Sequence, residues 1–150
     1  MTGDEFIKLA TDLLLGKARS PSEALCRTIA SRAYYGAFHL ARAYVVQLGF
    51  PETDKHRFLA DCLSASGESS VVRAGDLLRV LATARGKADY DIAIPSVVKQ
   101  VQQNSYLMDL IERADTVKDL LTKASTTPAK AQAKAGISIY WRQSSSSPSR

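Results

Sequence analysis

The chain has 150 residues, a formal net charge of +5 and a hydrophobic content of 45%, which is the size and composition of one globular domain. No apolar run approaches the ~20 residues of a membrane span, and the early acidic residues are unlike a signal peptide. The two cysteines, Cys26 and Cys62, are too far apart for a metal or redox motif. We therefore expect a cytoplasmic protein that uses no metal or other cofactor and no membrane.

The positive charge is unevenly distributed along the chain. All fifteen acidic residues lie before residue 120, and five of the twenty basic residues follow it. The first 122 residues are therefore electrically neutral, with fifteen basic and fifteen acidic groups. The net charge alone does not indicate nucleic-acid binding, because binding depends on where the charges lie. A local basic patch is still compatible with this distribution.

The first two helices have clear start and stop signals. Residues 3–15 place apolar side chains on one face, with acids in the first turn, and Gly16 ends this helix. A capping box at Ser20 and Glu23 starts the second helix, which runs for about 28 residues to a stop at Gly49. The short link between them predicts antiparallel neighbours.

Three further helices are predicted after the second one. Residues 53–64, 69–84 and 95–125 carry apolar residues at helical spacing. The polar segment RGKADYDIAIP lies between the last two of these helices. No strand alternation is convincing. The sequence therefore predicts an all-α fold, an antiparallel up-and-down bundle of about five helices.

The composition changes after residue 125. Residues 126–150 are rich in serine, proline and lysine and poor in large apolar residues. We therefore expect a bundle over residues 1–125, followed by a disordered or loosely docked basic tail over residues 126–150. The apolar island from Ile137 to Trp141 could dock on the body, on a partner or on nothing.

The second helix carries two different rows of side chains. Alanines form one row, which lets another helix come close. The second row is polar or amphipathic: Arg32, Tyr35, His39 and Arg42. This row is either a structural network, with acids such as Asp89 or Asp91 as partners, or part of a binding or catalytic site. The aromatic residues beside it are expected to be core or dimer contacts: Tyr34, Phe38 and Tyr44.

Two stretches resemble the paired signatures of the HEPN domain family, SRAYYGAFHLARAYVVQLGF at 31–50 and LLRVLATARGKADYDI at 77–92. The lone His56 that follows the first stretch fits the same pattern. The resemblance covers roughly residues 5–122 and implies a small antiparallel helical bundle, usually dimeric. Many members are metal-independent ribonucleases, including toxins paired with nucleotidyltransferase antitoxins. Others are non-catalytic partners or binding modules.

The chain departs from the catalytic motif of that family, in which an arginine is followed after four to six residues by histidine. Here Arg85 is followed by Tyr90, and a phenol with a pKa of about 10 is a poor base at neutral pH. The resemblance therefore implies a homodimeric module that binds RNA, a nucleotide or a protein partner such as a nucleotidyltransferase antitoxin. The alternative is a metal-independent endoribonuclease toxin.

The candidate residues follow from these two interpretations. Three are candidate catalytic groups: Arg85, Tyr90 and His39. Five are candidate binding groups: Arg32, Tyr35, Lys87, Asp89 and His56. We expect the segment 85–91 to lie in a cleft lined by the polar row of the second helix, near the axis of a homodimer. Two neighbouring aspartates supply too few oxygen ligands for a metal ion.

Overall fold

The computed structural model describes residues 1–16 and 21–146, and these residues form helices without any strand. The helices in the described ranges are α1 (Gly3–Leu15), α2 (Glu23–Gln47), α3 (His56–Ala65), α4 (Ser69–Tyr90), α5 (Pro95–Val101), α6 (Asn104–Lys123) and α7 (Thr127–Ser146). The prediction of an all-α bundle is confirmed. The described chain has seven helices rather than about five.

Side-chain caps fix the starts of α1 and α2. Thr2 and Glu5 exchange hydrogen bonds in a capping box at the start of α1. At the start of α2 the hydroxyl of Ser22 accepts a hydrogen bond of 3.2 Å from the Leu25 N–H. The cap of α2 is therefore Ser22 and not the predicted Ser20, which lies outside the described residues.

The central helix of the bundle is α2, which packs against α1, α4 and α6. It runs antiparallel to α1, because the start of α1 lies beside the second half of α2. The two backbones come close at a pair of glycines. A Cβ atom on Gly3 would lie 2.6 Å from Cγ of Leu40 and 2.7 Å from the carbonyl oxygen of Gly36. Only glycine fits at such a distance.

The core contains aromatic side chains as well as aliphatic ones. Tyr34, Phe38 and Tyr44 are all buried, and the Tyr44 hydroxyl donates a hydrogen bond of 3.0 Å to the Ala124 carbonyl. The two cysteines are buried and form no disulfide. Burial raises the pKa of the Cys62 thiol to about 12.

The end of α4 differs from the prediction. The helix continues through the polar segment to Tyr90 instead of ending near residue 84. The reason is a distant contact, since the guanidinium of Arg27 in α2 donates hydrogen bonds to the carbonyls of Lys87 at 3.2 Å and Ala88 at 2.7 Å. The bond to Ala88 satisfies a carbonyl that the helix end leaves without an intrahelical partner, whereas the Lys87 carbonyl also accepts a hydrogen bond of 3.1 Å from the Asp91 N–H.

The last predicted helix of the bundle is divided into α5 and α6. The chain turns at Gln102 and takes an extended conformation at Gln103, with a ψ angle of 124°. Val101 before the turn and Leu107 after it are both buried. The turn therefore allows the apolar face of α5 and that of α6 to pack on the core from different directions.

Residues 127–146, predicted as a disordered or loosely docked tail, instead form α7, which packs mainly on α3. Ala133 and Ile137 are completely buried, each with 0% exposure. Gly136 lies so close to α3 that a Cβ atom there would be 2.5 Å from the Ala65 carbonyl oxygen. Small residues thus bring α7 against the backbone of α3, and few large apolar residues are needed to hold it.

None of the helices in the described ranges combines the length and the apolar character that crossing a bilayer requires.

Candidate functional site

Arg85 lies among three aromatic rings. The guanidinium carbon of Arg85 on α4 is 5.9 Å from the ring centre of Tyr34 and 5.4 Å from that of Tyr35, both on α2. The ring of Tyr90, at the end of α4, lies 5.7 Å away. Contacts between a cation and the faces of aromatic rings stabilise the charged guanidinium.

The acid nearest to Arg85 is Asp89, on the next turn of α4. Nε of Arg85 is buried and lies 2.6 Å from Oδ2 of Asp89, although the contact lacks the geometry of a hydrogen bond. Burial opposes the charge of Arg85, but Tyr35, Asp89 and Tyr90 outweigh it and raise the pKa of Arg85. Arg85 is therefore positive at neutral pH.

The terminal nitrogens of Arg85 can reach a ligand. The side chain is 22% exposed, and none of the described residues makes a hydrogen bond to these two nitrogens. A planar guanidinium that lies beside a carboxylate at Nε and is open at its end is suited to bind a phosphate or a carboxylate.

His56, the first residue of α3, lies beside the same tyrosines. Its Nδ1 is hydrogen-bonded to the hydroxyl of Tyr34, and its ring centre is 4.4 Å from that of Phe38. Burial and the positive charge of Arg85 both lower the pKa of His56, so the imidazole is neutral at pH 7. Burial raises the pKa of Tyr34 to about 12, so its phenol keeps its proton.

The closest contacts of His39 are with α1 and with its own helix. Its ring stacks on Phe6 of α1, with centres 5.1 Å apart and planes 11° apart. Nη2 of Arg42 donates to Nδ1 of His39 over 3.0 Å. Burial and the positive charge of Arg42 lower the pKa of His39. This histidine therefore helps to hold α1 against α2, and it makes no direct contact with Arg85.

The structure brings together some of the predicted site residues and separates others. One group surrounds Arg85: Tyr35, Asp89, Tyr90 and His56. Arg32 instead places its guanidinium carbon 5.6 Å from the ring centre of Phe6. Of the polar row on α2, Tyr35 is therefore the residue that reaches the predicted segment. Among the described residues, no hydrogen bond or ion pair joins this row to Asp89 or Asp91, as the proposed network would require.

Lys87 lies on another face of α4. It lines a cleft of about 440 Å³ between α4, α5 and α6, together with Tyr106 and Arg113. Two residues along a helix are turned by about 200°. Once the segment is helical, Arg85 and Lys87 point in nearly opposite directions and cannot hold the same phosphate.

Arg27 positions the site, although nothing in the sequence marks it as functional. Its side chain is 9% exposed and makes an ion pair of 2.6 Å with Glu23. Besides its two bonds to carbonyls at the end of α4, Nη2 lies 3.5 Å from the Asp91 carbonyl. The spacing of four residues predicts the pair with Glu23, but not the contact with α4, which is 60 residues away.

Exposed apolar side chains adjoin the site in the connection from α4 to α5. Tyr90 is 72% exposed, Ile92 65% and Ile94 45%. Exposed apolar groups that cluster in this way often mark a surface that another molecule covers.

Nowhere in residues 1–16 and 21–146 do three histidine, cysteine or acidic side chains gather in a way that could hold a metal ion. Comparison of the chain with protein-family models, with curated protein sequences and with solved structures finds no match in any of the three. The function is therefore inferred from the chemistry of the site and from the resemblance noted in the sequence.

Proposed function

We propose that this chain is a HEPN-like helical module that binds RNA or a nucleotide, and that Arg85 holds a phosphate group. The observation that carries the proposal is the state of Arg85. Its guanidinium is charged, is held among the rings of Tyr34, Tyr35 and Tyr90, and has open terminal nitrogens. Phosphate oxygens match the paired donors of such a group.

Tyr90 supports the same proposal, because its exposed ring lies next to the cation. The base of the nucleotide whose phosphate Arg85 holds could stack on this ring, as bases do on aromatic side chains in proteins that bind single strands. The carboxylate of Asp89 moderates the affinity, since it neutralises part of the charge of Arg85. The contact joins a cation to a phosphate, so we expect binding to weaken as salt is added.

The test is binding of a labelled oligoribonucleotide, measured by fluorescence anisotropy at two salt concentrations. Arg85→Ala should weaken binding by about 10-fold to 100-fold, because hydrogen bonds to a charged group contribute about 1.5–3 kcal/mol. Arg73→Ala removes an exposed arginine elsewhere on α4 and should leave the affinity unchanged. Equal affinities of wild type and Arg85→Ala would contradict the proposal.

We also propose that the module is a homodimer with its contact at Ile92 and Ile94. These side chains are exposed beside the Arg85 site, so a second copy that covers them would bring two such sites together. Light scattering should give the mass of a dimer at tens of micromolar, and Ile92→Glu should give that of a monomer. A monomeric wild type at this concentration would refute this part of the proposal.

His56 favours metal-independent endoribonuclease activity as a second candidate function. Its ring centre is 6.2 Å from that of Tyr35, and the same Tyr35 ring centre lies 5.4 Å from the guanidinium carbon of Arg85. A neutral imidazole beside a phosphate-binding guanidinium can take the proton of a 2′-hydroxyl. This role requires the tautomer in which Nδ1 donates to the Tyr34 oxygen, because Nε2 then has a free lone pair. The catalytic histidine would then be supplied by α3, and not by the α4 position that Tyr90 occupies.

This candidate is tested by cleavage of labelled RNA in the presence of a chelator. His56→Asn should abolish cleavage while RNA binding persists, and His39→Gln is the matched control because the closest partners of His39 are Phe6 and Arg42. Cleavage that persists in His56→Asn would exclude this mechanism. If the wild type binds RNA without cleaving it, the proposal of a non-catalytic binding module is retained.

A further inference from the structure

We infer that α7 extends the Arg85 site, and that Lys134, Trp141 and Arg142 bind the continuation of a single RNA strand. This inference rests on the proposed function, since it assigns a second set of contacts to the same ligand. It gives a role to the basic end of the chain and to its apolar island, neither of which the Arg85 site uses.

The first observation is the charge of α7. The helix contains three basic residues and no acidic one: Lys130, Lys134 and Arg142. Together with Ser138 they follow one another at intervals of four residues, so they lie along one side of the helix. The described residues provide no ion pair for any of these three. They form an uncompensated row of positive charge.

The second observation is the aromatic group at the end of this row. The ring of Trp141 stacks on Phe50, with centres 5.1 Å apart and planes 23° apart. Its other contact is edge-on, with Phe58 at 4.9 Å. A cleft of about 440 Å³ lies between Phe50, Ser138, Trp141 and Arg142. Proteins that bind single strands combine a basic track with rings on which bases stack, as here.

The third observation is that a second cleft connects Trp141 with the start of α3. This cleft, of about 280 Å³, is lined by Trp141, Phe58 and Lys55, and also by the acid Glu52. Lys55 directly precedes His56, whose ring adjoins the tyrosines around Arg85. A strand that leaves Arg85 and passes over the start of α3 therefore reaches Trp141.

The acids along this path are compensated. Glu52 and Asp54 lie in the segment before α3, and both make ion pairs with Arg42, at 3.2 Å and 2.7 Å. Lys55 supplies a second positive charge in the same segment. Two cations thus balance two acids there, and a polyanion meets no net repulsion between the two sets of contacts.

The experiment compares oligouridylates of about three nucleotides, shorter than the single-strand sites of about 4–16 nucleotides in known proteins, and of about twelve, which lies within that range. Trp141 is the single tryptophan of the chain, so its fluorescence reports on α7 directly. The long oligomer should quench this fluorescence, whereas the short one should bind at Arg85 without doing so.

The double variant Lys134→Gln, Arg142→Gln should weaken binding of the long oligomer about 10-fold at low salt and leave the short one unchanged. It should also reduce the salt slope by about 1.4, because each phosphate contact with a single strand contributes about 0.7. The control is Arg73→Gln with Lys99→Gln, which removes two exposed positive charges from other helices. Circular dichroism checks that both variants keep their helices.

The possible failures are distinguishable. If Arg85→Ala weakens both oligomers but the α7 variant weakens neither, the proposed function stands and the inference about α7 is overturned. If Arg85→Ala has no effect on either oligomer, the proposed function fails. If the α7 and control variants weaken the long oligomer equally, the effect is one of total charge, which also overturns the inference.

Discussion

Two contacts between helices use glycine in the same way, but their surroundings differ. At the α1–α2 contact, Gly36 lies against the backbone of α1, and at the α3–α7 contact, Gly136 lies against the backbone of α3. Helix α2 also packs against α4 and α6, whereas α7 packs mainly on α3. The same local geometry is therefore part of the cooperative core in one place and a separable attachment in the other.

The largest effect is expected from Gly36→Val at the α1–α2 contact. Its Cβ would meet Cγ1 of Ile7 and lie 3.1 Å from the Gly3 carbonyl oxygen, and a backbone atom cannot move aside as a flexible side chain can. We expect a loss of about 3 kcal/mol of unfolding free energy, at the upper end of overpacking effects. Urea unfolding measures it.

The control for this change is Gly86→Ala. No heavy atom outside its own helix lies within 4 Å of the added Cβ, so stability should rise by about 0.5 kcal/mol from the better helix propensity. A Gly36→Val variant as stable as the wild type would show that α1 and α2 can move apart at little energetic cost.

A smaller and more local effect is expected from Gly136→Val. The new side chain would collide with the carbonyls of Ala65 and Ser66 and release α7 from α3. Because α7 packs mainly on α3, unfolding of the rest should shift by only about 1 kcal/mol or less. Hydrogen exchange should show lost protection in α7 and retained protection in α2. Loss of protection in both helices would mean that the two contacts form one cooperative unit.

The smallest effect is expected from acid, and the groups that cause it lie in the body and not in α7. Burial lowers the pKa of His39 and of His56 below the usual value of 6.5, so the folded state binds fewer protons than the unfolded state. The stability from these groups is complete above pH 6.5 and is lost as the pH falls through the folded pKa values. We expect a loss of no more than about 1 kcal/mol, because both rings are partly exposed.

Urea unfolding between pH 7 and about pH 5 measures this dependence. His39→Gln should make the profile flatter, because one of the two titrating groups is gone. Stability that rises as the pH falls would contradict the lowered pKa values of the two histidines. The described part of α7 contains no histidine, so its hydrogen exchange, corrected for the intrinsic rate, should follow the body and show no separate transition.

The sequence predicts the parts of the fold that depend on local signals. The acids at the start of α1, Gly16 at its end and the glycine after α2 correctly indicate where these helices begin or end. The helix α7 carries weaker signals. It is held by Ala133 and Gly136 against a backbone, and small residues of this kind do not stand out in an apolar pattern.

The composition of the site is only partly predictable for a similar reason. Gly86 and its polar neighbours suggest a loop, and in a loop Arg85 and Lys87 could share a ligand. The segment is helical, and Arg27 on another helix supports its end by donating to the carbonyls of Lys87 and Ala88. No local sequence pattern predicts a contact between residues so far apart in the chain. Without that contact the segment could not be predicted as helical, and Lys87 was therefore wrongly placed in the same site as Arg85.

The two buried cysteines allow local unfolding of the protein to be followed by thiol labelling. Cys26 lies in α2 and Cys62 in α3, and both have 0% exposure. A thiol reagent attacks only a thiolate that solvent can reach. The rate at which each cysteine is labelled therefore records how often its own helix becomes accessible. Cys62 reports on the helix that α7 covers, and Cys26 on the centre of the bundle, without any engineered probe.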